Sequence, residues 1–186
     1  MSASLTPGIP ELLTPRLRLR GWREDDRAPF AAQNADAETM RYLGGPMTRE
    51  ASDAYLDRTL RHWAEDRCGK WAVELTESGA FVGALGLQRM RFEAPFPCAA
   101  GIEIAWRMGR AHWGRGYATE AARAAVAFGF GTLGILDILA FTVPANRASR
   151  AVMERLGMHL DGEFDHPLLP EDSPLRRHVL YRLAQG

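Results

Sequence analysis

Ile102-Glu103-Ile104-Ala105-Trp106, followed a few residues later by Trp113-Gly114-Arg115-Gly116-Tyr117-Ala118-Thr119-Glu120, decides the fold. The first run has the apolar character of a buried strand, with Glu103 on the face opposite Ile102, Ile104 and Trp106. The second places small residues at 114, 116 and 118, and an alanine-rich helix follows over 117–130. A glycine-rich turn between a strand and a helix aims several backbone N–H groups at one spot, at the positive end of the helix dipole. That geometry holds a phosphate or a pyrophosphate.

Working outward from the turn, the periodicity reads as a mixed sheet with helices on both sides. Residues 16–20 alternate as a strand with Leu17 and Leu19 inward, and helices follow over 24–35 and 48–66. Residues 71–75 and 81–87 form a hairpin around Ser78-Gly79, and 93–97 form a proline-rich turn before a strand over 100–106. Beyond the glycine turn, 138–143 read as a buried strand ended by Pro144. Asn146 then caps a helix stopped by Gly157. Strands over 159–165 and 177–183 close the fold. Within the 117–130 helix, Gly129 and the adjoining Gly131 are poor helix formers and blur its end.

The chain has 186 residues, enough for one domain with a substantial core, expected over 12–186 behind a flexible tail at 1–11. Net charge is zero, so no global field favours nucleic acid or an anionic membrane, and neither is expected as a partner. The apolar region 121–143 is interrupted by Arg123, glycines and Asp137 and reads as a helix plus a strand, not a membrane span. Cys68 and Cys98 lack any partner motif and are expected as reduced thiols of a cytoplasmic protein. No basic segment followed by an apolar one opens the chain, so no signal peptide is expected. The five histidines show no metal-ligand spacing, and no metal is expected. His112, just before the turn, reads as a loop residue, while His166 and His178 flank the long closing loop.

A Gly-x-Gly turn alone is weak evidence, and other phosphate loops compete for it. A Walker loop is excluded because no Gly-Lys-Ser/Thr follows. A dinucleotide fold requires a third glycine or alanine where Thr119 stands, and an acid at the end of the next strand, where the chain has Thr142-Val143-Pro144.

The turn 113–121 resembles the acetyl-CoA pyrophosphate loop of GNAT-type N-acetyltransferases. The run Asn146-Arg147-Ala148-Ser149-Arg150-Ala151-Val152-Met153-Glu154-Arg155-Leu156-Gly157-Met158 is similar to that family's second signature. Both resemble the branch named for ribosomal-protein N-terminal acetyltransferases (RimJ/RimL-like), over roughly residues 11–184. The resemblance implies an α+β GNAT fold: a mostly antiparallel sheet of about seven strands, splayed between two parallel central ones. It also departs from the family in two places. Trp113 stands where the loop often begins with Gln or Arg, and Met153 stands where many members carry a tyrosine acid. The RimJ/RimL-like branch replaces that tyrosine with a serine earlier in the helix, the place of Ser149.

What the resemblance implies for chemistry is specific. Acetyl-CoA, the acetyl donor, enters the splay. Its pantetheine pairs with the strand edge around Trp106 and Met108, and its pyrophosphate rests on the amides of Trp113, Gly114, Arg115, Gly116, Tyr117, Ala118 and Thr119. Asn146 touches the CoA arm, and Ser149 protonates or hydrogen-bonds the leaving thiolate. The acceptor is a primary amine, which must be neutral to attack. At pH 7 deprotonation costs roughly 1–1.4 kcal/mol for an α-amine and about 4.6 for a lysine. An α-amine, a peptide N-terminus in the first instance, therefore needs only a modest base, and Glu103 is the candidate. A salt bridge from Glu103 to an arginine is the competing reading. A small amine such as a polyamine, amino acid or aminoglycoside, or a silent acyl-CoA-binding sensor, stays open as the alternative. A homodimer also stays open.

Overall fold

The computed structural model describes residues 4–6, 8–93, 95–96 and 101–185. Its elements are β1 (Leu12–Leu13), β2 (Leu17–Arg20), α1 (Arg27–Ala35), α2 (Ala37–Met40), α3 (Arg49–Asp66), β3 (Lys70–Leu75), β4 (Phe81–Arg89), β5 (Ile102–Met108), α4 (Tyr117–Gly131), β6 (Asp137–Thr142), α5 (Arg147–Arg155), β7 (His159–Asp165) and β8 (Arg177–Ala184). The eight strands form one sheet in the order β1-β2-β3-β4-β5-β6-β8-β7. Every neighbouring pair is antiparallel except β5 and β6.

Alternation along each strand divides the core between two faces. Leu17, Leu19, Trp71, Val73, Leu85, Leu87, Ile104 and Ile138 pack beneath α4, which presents Ala121, Ala122 and Ala125 to them. These alanines let the helix sit close to the sheet. Gly129 carries the same logic further, because a Cβ there would fall 2.8 Å from Leu87 Cδ1. Glycine costs a helix about 1 kcal/mol relative to alanine. Close packing on the sheet decides in its favour, and α4 runs on to Gly131. On the opposite face Trp22, Phe30 and Leu56 pack over Ala72 and Ala84, bringing α1 and α3 onto the sheet.

Several expectations are corrected. The sheet has eight strands, because the two-residue β1 adds an edge to β2. Strand β5 begins at Ile102 and continues to Met108, which pairs with Gly83 of β4. The opening segment 1–11 is tied down where it is described. Ser4 bridges Arg23, Leu5 N donates to Trp22 O at 2.8 Å, and Trp71 Nε1 donates to Pro10 O at 2.7 Å. Cys68 is buried and free, whereas Cys98 lies outside the described residues, as does part of the expected turn at 93–97. Among the described residues no helix is long and apolar enough to cross a membrane.

Candidate active site

The parallel pair β5–β6 shares one register position, Glu103 opposite Leu139. Beyond it the strands diverge, and the opening leads into a cavity of about 1190 Å³. The backbone of β5 at this edge can be assigned from its other neighbour. Met90 N donates to Gly101 O, and Gly109 N donates to Val82 O, so the odd-numbered residues of the strand turn their backbone groups toward β4. Antiparallel alternation then turns those of Ile104, Trp106 and Met108 toward the wedge. One of these acceptors is already engaged: Trp113 Nε1 donates to Met108 O at 2.8 Å. The strand edge expected around Trp106 and Met108 is shortened by that carbonyl. Trp113, 48 % exposed, supplies an indole wall in place of a Gln or Arg side chain.

The head of α4 stands beside this wedge. Its N-cap is Gly116, at φ +78°, with no capping side chain, and Gly114 has φ +71°. Both conformations disfavour any residue with a Cβ. The N–H groups of Gly114, Arg115, Gly116, Tyr117, Ala118 and Thr119 have no hydrogen-bond acceptor among the described residues; the first amide of the helix to find one is Glu120, which donates to Gly116 O at 3.0 Å. Donors left open at a helix N-terminus make a site for an anion. The turn is held from outside by the β1–β2 connection. Glu120 accepts from Thr14 Oγ1 at 2.7 Å and from Arg16 N at 2.9 Å, while Arg16 Nη1 donates to Arg115 O at 3.0 Å. Arg16 also lies 4.8 Å over the Tyr117 ring, whose side chain is otherwise buried in the core. Burial raises the Glu120 pKa, and the Thr14 and Arg16 hydrogen bonds outweigh it, so the carboxyl lies below its usual range.

Across the wedge, Asn146 caps α5 by accepting from Ser149 N at 3.3 Å. Its Nδ2 donates to Thr142 Oγ1 at 2.9 Å and to Ser149 Oγ at 3.1 Å. Ser149 Oγ also accepts from Trp106 Nε1 at 3.3 Å. With two N–H donors on its oxygen, the Ser149 hydroxyl keeps its own hydrogen to give away. Met153, at the position of the family's tyrosine, is buried.

The cavity therefore gathers most of the residues singled out from sequence. Trp106, Met108, Trp113, Gly114 and Gly116 line it, as do Tyr117, Ala118, Thr119, Asn146 and Ser149. Arg115 contributes backbone only and does not line it. Glu103 is not among its lining residues either. It projects from the other face of β5, at the apex of the wedge, and its carboxylate accepts from Gln88 Nε2. No arginine pairs with it among the described residues, which removes the salt-bridge reading. Burial raises its pKa, with Lys70 and the Gln88 bond partly opposing.

The sequence reading passed over Arg107, Lys70 and Tyr55. Arg107 shares its face of β5 with Glu103 and lines the cavity. Lys70 Nζ donates to Tyr55 Oη at 2.6 Å beside it. Strand alternation alone places Arg107 beside Glu103, whereas Lys70 and Tyr55 join them only through the sheet register and the packing of α3. His166 and His178 stack on each other, 5.1 Å between ring centroids, against Phe141 and Phe164, outside the cavity lining. Among the described residues no group of three or more His, Cys, Asp or Glu could hold a metal ion.

Comparison with known proteins agrees with this geometry. The family described as acetyltransferase (GNAT) domain matches residues 16–159. The chain is 31% identical over 150 residues to the uncharacterized protein YkkB of Bacillus subtilis (strain 168), covering 80% of this chain and 85% of that one. It is 39% identical over 187 residues to the FsC-acetyl coenzyme A-N(2)-transacetylase of Aspergillus fumigatus, covering 95% of this chain and 77% of that protein. The crystal structure of an acetyltransferase from Agrobacterium tumefaciens str. C58 superposes with a TM-score of 0.77 at 31% identity, covering the whole of both chains.

Proposed function

The chain belongs to the acetyltransferase (GNAT) family, and from that premise we propose that it transfers the acetyl group of acetyl-CoA to a primary amine. The observation that carries this reading is the set of open N–H donors at 114–119, at the head of α4 and beside the wedge between β5 and β6. These residues fit a diphosphate whose attached arm runs into the wedge. The glycines at 114 and 116 keep side chains out of the space such a ligand would fill.

Acetyl-CoA supplies an activated thioester acyl group; the remaining steps fall to the chain's own residues. The amides of 114–119 hold the diphosphate, and the Trp106 backbone, turned to the wedge, orients the arm. The Ser149 hydroxyl, with Trp106 Nε1 and Asn146 Nδ2 on its oxygen, donates its hydrogen toward the departing thiolate. Glu103, on the opposite face of β5, accepts a proton from the incoming ammonium, through water where the distance requires it. Acid and base are thus separated by the strand itself, one on the donor side and one on the acceptor side. The RimJ/RimL-like likeness supports a peptide α-amine as acceptor. A small amine is the second reading, and the cations near Glu103 favour an amino acid over a polyamine within it.

Calorimetric titration with acetyl-CoA, followed by CoA release with peptide N-termini, polyamines and amino acids, tests the proposal. Saturable binding and release with at least one amine class are expected. Binding without release for every amine would leave an acyl-CoA sensor in its place.

A further inference from the structure

The face of the sheet opposite α4 carries polar groups that acetyl transfer alone does not require. Register places them. Lys70 pairs with Gly86, and Gly86 with Ala105, so three adjacent strands present a lysine, a glycine and an alanine in one row. Gly86 has no room for a side chain, since a Cβ would fall 2.1 Å from Gly69 O. The backbone of Gly69 and Lys70 closes over Gly86 in this row. Gln88 and Glu103 pair on one side of this row, Ala84 and Arg107 on the other. Tyr55 reaches it from α3, accepting from Lys70 Nζ at 2.6 Å and lying 4.6 Å beneath Arg107 Cζ.

The charges of this group do not balance. Lys70 is only 8 % exposed and Arg107 is half-buried, yet neither has a carboxylate within ion-pair distance among the described residues. The carboxylate on their face of β5, Glu103, is engaged by Gln88. Elsewhere the chain pairs its buried cations. Arg20 is held by Asp26 at 2.7 Å and by Glu74 at 2.5 Å. Arg107 has one neutral hydrogen-bond partner, donating from Nη1 to Asn34 Oδ1 at 2.7 Å. A guanidinium has five N–H donors, the remaining Arg107 donors have no acceptor among the described residues, and the residue lines the cavity. A guanidinium with open donors can take an anion, and the arginine fork suits a carboxylate in particular.

We propose that Arg107, with Lys70 behind it across Tyr55, binds a carboxylate carried by the acceptor, so that the amine acetylated is an amino-acid-like molecule. This rests on the acetyltransferase reading. Glu103 and Arg107 stand four residues apart on one face of β5, about 13 Å between Cα atoms. In this proposal the acceptor's amine lies toward Glu103 and its carboxylate toward Arg107.

The test is steady-state CoA release by the full chain with matched pairs of L-amino acids and their amides. The wild-type protein is expected to favour the carboxylate member of each pair by about tenfold or more in kcat/KM, the effect of one charge-assisted contact. Arg107→Gln is expected to bring that ratio near unity through KM, and Arg107→Lys to retain part of it. A wild-type ratio of one or less overturns the inference, and so does a ratio unchanged in Arg107→Gln. Turnover of peptide N-termini or polyamines but of no amino acid overturns it while leaving the acetyltransferase reading standing. No CoA release with any amine overturns both.

Discussion

Trp106 Nε1 donates to Ser149 Oγ across 3.3 Å, joining strand β5 to helix α5 over the mouth of the wedge. Asn146 Nδ2 occupies the other side of the same oxygen at 3.1 Å, which leaves the hydroxyl hydrogen as the group's one remaining function. Ser149→Ala is therefore expected to lower kcat about 10²-fold, the usual scale of a general acid, with acetyl-CoA affinity little changed. Steady-state kinetics beside calorimetry separates the two. Unchanged turnover would remove Ser149 from the chemistry.

Gly116→Glu is expected to abolish acetyl-CoA binding, because a carboxylate would enter the ring of N–H donors at the head of α4. The φ of +78° at this position adds strain to any replacement, about 1–2 kcal/mol. Gly116→Ala carries that strain without the charge and separates the two causes. Calorimetric affinity of Gly116→Glu equal to that of the wild type would refute the phosphate role of the turn.

The raised pKa of Glu103, caused first by burial, sets the direction of a pH profile. Only the ionised carboxylate takes a proton, so kcat/KM should climb as pH rises through an apparent pKa above the ordinary glutamate range. Glu103→Gln should lose that limb while retaining acetyl-CoA binding. A profile identical to the wild type would show that another group accepts the proton.

Burial alone would push the Tyr55 phenol upward, but Lys70 and Arg107 outweigh it and bring the pKa from 10.0 to about 8. Ultraviolet titration should find one of the four tyrosines ionising near pH 8, and Lys70→Met should move that step back up. The folded state releases this proton before the unfolded one. Its contribution to stability is therefore absent at neutral pH and grows between about 8 and 10. A single tyrosine step near 10 would show that the two cations do not act on this phenol.

Arg20 bridges Asp26 and Glu74 with all three side chains nearly inaccessible to solvent. Arg20→Ala strips buried Asp26 of its ion-pair partner, while Glu74 keeps Arg18 and Arg23, and should destabilise the fold by about 3–5 kcal/mol. Urea denaturation measures it. A loss under about 1 kcal/mol, typical of exposed pairs, would mean that water reaches the cluster.

Strong periodicity made much of this fold legible. Helices α3, α4 and α5 and strands β7 and β8 lie where apolar spacing, the Gly116 turn, the Asn146 cap and the Gly157 stop put them. The turn and the helix 146–156, which carry the proposed donor side, were legible for the same reason, being contiguous residues. The short elements escaped. Strand β1 has two residues and α2 four, too few for any period, and both owe their form to tertiary contacts. The proposed acceptor side escaped because Lys70, Tyr55 and Arg107 come from a hairpin, a helix and a central strand, which only the register of β3 on β4 on β5 and the packing of α3 bring together. Met108 could not be read as capped, because the Trp113 indole folds back on its carbonyl across a loop without periodicity.

The clamp between Arg16 and Glu120 spans 104 positions of the chain. The braced form of the turn is complete only when these two distant segments dock. A ligand gripping that turn reports on completion of the whole molecule, and should protect the N-terminal strands from hydrogen exchange and proteolysis as strongly as it protects the residues it touches.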